Sequence, residues 1–241
     1  MSTVSTILHV YDHDADAVEQ ALTAIFTAEE RQTVLRLEGT FSAVLARVTN
    51  PDLDAAFRYL ICRPHDTSRW TPVLELGNRT EGLDVELSRM LDGAPVFTIF
   101  EYGETVSGFT LARGGVQVDR YISDPAWLLE DEEREESAPP PDLDTLRGHP
   151  ERFADLLPPG TAPEDFARVV LMPGAWEEYA ASTGEVGPLD TGEDDMVDER
   201  DRMRCIALAL EIWGPTDYPL TEDLDDLSNA TVGPGIVLAF N

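Results

Sequence analysis

The stretch HVYDHDAD, residues 9–16, crowds His9, Tyr11, Asp12, His13, Asp14 and Asp16 together. Imidazoles beside carboxylates are the material of metal sites and acid–base centres. Geometry limits what this group can do. STILHVY, residues 5–11, is rich in β-branched residues and predicts a strand that puts His9, Tyr11 and His13 on one face and Asp12 on the other. At ~3.3 Å per residue the two imidazoles lie roughly 13 Å apart, too far to share one metal ion. The aspartates then read as helix punctuation. Asp16 with Glu19 three residues on makes a capping box, and the neighbouring carboxylates suit the positive end of a helix.

RYLICRPHDTSRW, residues 58–70, is the one locally basic stretch. Arg58, Arg63, His65 and Arg69 form a candidate site for a phosphate or carboxylate; the same arginines also suit pairing with the chain's own acids. GEDDMVDERD and TEDLDDL supply a third candidate, the acids Asp194, Asp195, Asp198, Glu199, Asp201, Glu222, Asp223, Asp225 and Asp226. Neither run has the DxDxDG spacing with a twelfth-position Glu that a calcium loop needs. The sequence contains no GxSxG elbow. Lysine is absent, which excludes Walker-type phosphate loops, Schiff-base chemistry and protein-kinase chemistry. No catalytic constellation, metal site or cofactor is implied.

Charge is the extreme feature of the 241 residues: 47 Asp plus Glu against 17 basic residues, a net −30. Every basic residue is arginine, as a high-GC genome would favour, and a salt-adapted host would favour the acidic surface. The acids are unevenly spread. Residues 1–128 hold 19 acidic and 10 basic side chains, whereas residues 129–241 hold 28 and 7. Adaptation to solvent should tint both parts alike, so the asymmetry favours a local role for the second. Such a surface is unsuited to nucleic acid or an anionic membrane. No segment approaches the ~18 apolar residues of a membrane helix, and the N-terminus lacks the pattern of a leader. The expectation is a soluble, cytoplasmic protein. Cys62 and Cys205, in apolar settings, read as buried thiols, though a bridge between them stays open.

These residues must be positioned by an α+β fold, mainly an antiparallel sheet with packed helices. After the strand at 5–11, Val18, Ala21, Leu22, Ile25 and Phe26 share one helical face. RQTVLRLEG and FSAVLARVT predict a hairpin over 33–48; Leu53, Phe57, Leu60 and Ile61 predict a helix after Pro51; WTPVLELG predicts a strand. The order is the βαββαβ of a ferredoxin-like unit. A helix ended by Gly93, a strand at PVFTIFEYGE and a hairpin across Gly114-Gly115 follow. Residues 70–122 thus echo the strand, helix and hairpin of 5–48, which fits a duplication. The chain divides into an α/β domain (1–128), an acidic Pro-rich linker (129–144) and an acidic, mostly helical region (145–241). Expected helices there are 150–157, 163–170, 175–181 and 195–212; GPGIVLAFN ends the chain as a strand that could return to the first sheet. Trp127, Trp176 and Trp213 are expected to anchor the core or the contact between the parts.

The functional expectation is a non-enzymatic acidic binding protein that covers a basic surface of a protein partner, as an inhibitor, an immunity protein or a nucleic-acid mimic does. The alternatives are a metal-assisted hydrolase using His9, Asp12, His13 or the acids after 190, and a structural or regulatory subunit whose acidity reflects its host. Oligomeric state stays open.

Overall fold

β1 (Val4–Tyr11) runs into α1 (Ala15–Ala28), as the apolar periodicity predicts, and Val18, Leu22, Ile25 and Phe26 are buried. The computed structural model describes residues 4–50, 52–64, 68–76, 82–102, 106–124, 142–170 and 235–241, with 203, 206, 207 and 209–212. Over these, the elements are β1, α1, β2 (Thr33–Gly39), α2 (Phe41–Val48), β3 (Phe57–Cys62), β4 (Trp70–Glu75), α3 (Leu83–Met90), β5 (Val96–Tyr102), β6 (Val106–Arg113), β7 (Val116–Ile122), α4 (Pro163–Val170) and β8 (Gly235–Phe240). The strands make one antiparallel sheet in the order β2-β8-β3-β4-β1-β5-β6-β7. The α+β class and antiparallel sheet are as expected.

Two expected elements are exchanged, and with them the βαββαβ order. Residues 41–48 are a helix, not the second arm of a hairpin: the Thr40 carbonyl accepts from Val44 N–H at 3.0 Å, and Phe41, Val44, Leu45 and Val48 repeat at helical spacing in the sequence. Residues 57–62 are a strand, not a helix. Tyr59 and Ile61 face α1 and α3 while Leu60 and Cys62 face the other way, so every residue from Tyr59 to Cys62 is buried and alternation vanishes. The helical stripe Leu53, Phe57, Leu60 and Ile61 is a coincidence of spacing. With no hairpin at 33–48, the echo between 5–48 and 70–122 is lost.

The hairpin between β6 and β7 forms as expected. Gly114 and Gly115 take φ of +62° and +74°, the left-handed pair that a tight two-residue turn needs. β8 joins the sheet between β2 and β3 with all six residues buried, so the last described segment pairs with strands from the first 62 residues.

The sheet is covered on both faces. α1 and α3 pack on Leu8, Val10, Val73, Val96, Ile236 and Leu238. The opposite face is closed by residues far along the chain: Phe153, Leu156, Phe166, Val170, Met203 and Ile206 meet Tyr11, Trp70, Phe97, Phe109, Leu111 and Tyr121. Trp70 pins this layer by donating from Nε1 to the Leu210 carbonyl at 2.9 Å. Met203, Ile206 and Ala207 are helical and buried; residues 195–202 of the helix expected over 195–212 lie outside the described residues, and Leu210 and Glu211 form a turn. The segment expected as a helix at 150–157 is a 3-10 turn at Pro150–Phe153. The expected helix at 175–181, Cys205, Trp127, Trp176 and Trp213 lie outside the described residues, whereas Cys62 is a buried free thiol pushed up to about 12 by desolvation. Among the described residues no helix is long and apolar enough to cross a membrane.

Candidate functional site

The junction at 9–16 is built by β1 handing over to α1. His9 is fully buried on the face opposite α1, its ring 6.3 Å from that of Phe97, and neither ring nitrogen has a hydrogen-bond partner among the described residues. Burial lowers its pKa to about 3, so it is a neutral core group. Asp12, in the left-handed region at φ +59°, points out to Arg69, whose guanidinium donates to both carboxylate oxygens and lies 4.3 Å from the centre of the Tyr11 ring. Hydrogen bonding from Arg69 holds the Asp12 carboxyl below its ordinary range. His13 contributes its backbone carbonyl, which accepts from the Thr71 hydroxyl. The helix cap is Asp14, two residues before the expected Asp16: its Oδ1 accepts from Ala17 N–H at 2.8 Å. Asp16 and Glu19 turn instead to arginines, Arg63 and Arg36.

The basic stretch is dispersed by its strand geometry. Arg58 donates to the backbone carbonyls of Asn50 and Leu53, Arg63 to Glu38 and Asp16, and Arg69 to Asp12. Three sets of partners divide the three side chains; His65 lies outside the described residues. Two further arginines, Arg89 and Arg113, engage Glu86 and Asp155. The acids Asp194, Asp195, Asp198, Glu199, Asp201, Glu222, Asp223, Asp225 and Asp226 also lie outside the described residues. No three His, Cys, Asp or Glu side chains among the described residues are grouped to hold a metal ion.

A constellation with no counterpart in the sequence reading lies at the free edge of β7. The chain returns there through Arg147, which bridges to Tyr121, and Gly148, whose N–H donates to the Arg120 carbonyl at 3.0 Å. Gly148 has φ +72°, and a Cβ on it would come 3.0 Å from the Phe109 ring, so only glycine lets the chain turn this close to the sheet. The next residue, His149, is thereby laid on Asp119. Asp119 Oδ2 accepts from His149 backbone N–H at 2.8 Å, and Oδ1 lies 2.8 Å from Nδ1 of its ring. The Asp119 side chain is wholly buried and the His149 side chain 29% exposed. Desolvation raises the Asp119 pKa, and the two hydrogen bonds from His149 oppose it. A carboxylate at Nδ1 fixes that nitrogen as donor, leaving Nε2 as the chemically available atom. The ring borders a cavity of about 260 Å³ that Thr145, Arg120 and Arg152 also line.

The other face of the sheet carries a second polar cavity, about 200 Å³, beneath the start of α3. Thr6 and Thr98 border it, their hydroxyls buried without partners among the described residues, and Thr110 donates to Asp84 at 2.7 Å.

The class defined by this geometry is an α+β protein with one antiparallel eight-stranded sheet covered on both faces. No family model, curated protein or solved structure matches the chain.

Proposed function

We propose that the protein is a non-enzymatic, cytoplasmic acidic binding protein whose carboxylates cover a basic surface of a protein partner. One observation carries this reading: among the described residues, several of the chain's arginines are already engaged by its own acids. Arg36, Arg63, Arg69, Arg89 and Arg113 are each paired with acids of the same chain. Were all 17 basic residues so paired, the net charge would still be −30, an excess that the chain cannot neutralise itself. A carboxylate array of this kind steers an Arg- and Lys-rich surface toward it, and apolar anchors then set the affinity. Asp194, Asp195, Asp198, Glu199, Asp201, Glu222, Asp223, Asp225 and Asp226 are the acids proposed to make the contact.

The test is capture of a basic protein from the host lysate at low and moderate salt, repeated with Asp194, Asp195, Asp198, Glu199 and Asp201 changed to their amides. The expected result is one salt-sensitive basic partner, retained by the native chain and lost by the amide variant. Equal retention by both would defeat the proposal. A second reading is supported by the total replacement of lysine by arginine: a structural or regulatory subunit whose acidity is a habit of its host. Under that reading the melting temperature rises steeply toward molar KCl and no partner is found.

A further inference from the structure

We propose that His149 and Arg152, with Asp119 as the positioning residue, form a binding site for a phosphate monoester group on a small molecule. The inference stands apart from the acidic partner surface, because it uses residues and a cavity at the β7 edge.

His149 caps the 3-10 turn Pro150–Phe153, and its carbonyl accepts from Arg152 N–H at 2.9 Å. In such a turn residues three apart eclipse one another, so the imidazole and the guanidinium stand on the same side and border one cavity. Unlike the five arginines paired above, Arg152 has no acid partner among the described residues, and it is exposed. Among the described residues, that leaves a guanidinium able to take an anion from outside. Thr145, on the same cavity, spends its hydroxyl proton on the Asp142 carbonyl at 2.6 Å, so its lone pairs remain to accept.

The histidine selects among anions. With Nδ1–H committed to Asp119, the neutral ring presents a lone pair at Nε2, which needs a proton from its ligand. A phosphate monoester ionises a second time near pH 6, so it carries both a proton and charged oxygens around neutrality. Its O–H donates to Nε2 while its anionic oxygens accept from the Arg152 fork. Should the proton cross to the imidazole, the contact becomes imidazolium against dianion, with the same atoms and total charge. Sulfate has no such proton, and a carboxylate offers fewer oxygens to the fork.

The experiment uses the full chain with isotope-labelled histidine and follows the His149 ring resonances by NMR during titration with inorganic phosphate, then sulfate, then acetate. The expected result is saturable movement of the His149 signals with phosphate, with affinity at least about tenfold weaker for sulfate and acetate. Arg152→Gln should weaken phosphate at least about tenfold, while Arg47→Gln, an exposed arginine on α2, should leave it unchanged. Asp119→Asn, which keeps the side-chain shape, should keep the chain folded but weaken phosphate binding, because the amide no longer fixes Nδ1 as donor. The proposal is overturned if phosphate gives no saturable shift, if sulfate binds as well, or if Arg152→Gln and Arg47→Gln behave alike.

Discussion

The junction at residues 9–16 and the seam between β7 and residues 142–152 each bring histidine and aspartate into one neighbourhood. At the seam the two are hydrogen-bonded; at the junction the sheet separates them. His9 points to the buried face among Phe97 and its neighbours, and Asp12 points outward to Arg69. At β7, the buried carboxylate of Asp119 holds the partly exposed His149 through two bonds, one to its backbone N–H and one to its ring. The difference teaches that closeness along a strand is not closeness in space. Successive strand side chains go to opposite faces, whereas residues 30 apart meet when a returning segment is pinned to an edge strand.

The largest expected difference between the two histidines is in their response to acid. In the unfolded chain His9 has the ordinary imidazole pKa of about 6.5, against about 3 when folded. The unfolded chain therefore takes up a proton that the folded protein refuses. The contribution is whole above pH 6.5 and is lost as pH falls, at about 1.4 kcal/mol per pH unit down to about pH 3. His9→Leu should remove that slope and gain about 1 kcal/mol near pH 7.5, since two unsatisfied nitrogens leave the core. Denaturant melts of both proteins between pH 7.5 and 4.5 measure it, and parallel curves would show that His9 is hydrated in the folded state.

Asp119→Ala should follow, costing about 2 kcal/mol, because it strands the part-buried N–H of His149 and frees its ring. Hydrogen exchange should localise the loss: the amides of Gly148 and His149 should open while those of β1 and β5 keep their protection. Asp119→Asn, which can still accept from the backbone N–H, should recover about half. Uniform loosening of the whole sheet by Asp119→Ala would mean that the seam is part of the global core and not a docked segment.

Why the sequence exposes the first neighbourhood and conceals the second is a matter of range. β1, α1, α3, the β6–β7 hairpin and the terminal strand are legible because each carries its signal within about fifteen residues: alternation, a 3.6-residue stripe or a Gly-Gly turn. β3 is misread because burial on both faces erases alternation, and α2 because a short apolar run suits either state. Nothing local joins Asp119 to His149. Asp119 sits in QVDRY as one more polar strand residue, and the residues between hold an acidic, Pro-rich run that reads as a linker. A faint signal existed in RGHP: a glycine before a histidine and a proline after it mark a forced turn followed by a helical start. It points to a constrained imidazole without naming its partner.

The smallest effect belongs to the most conspicuous pair. Arg69 grips Asp12 with two hydrogen bonds and lies over Tyr11, yet both charged side chains are more than half exposed. Water screens such a pair, and ordering two side chains offsets part of the attraction, so Arg69→Gln should cost no more than about 1 kcal/mol, and less in high salt. What Arg69 also does is neutralise Asp12, which sits in the left-handed turn feeding α1. Asp12→Gly relieves the turn while removing the ion pair, so its cost should be smaller than that of Arg69→Gln. Chemical denaturation of the two variants separates these terms. A larger loss for Asp12→Gly would show that the carboxylate, and not the backbone geometry, is what fixes this end of β1.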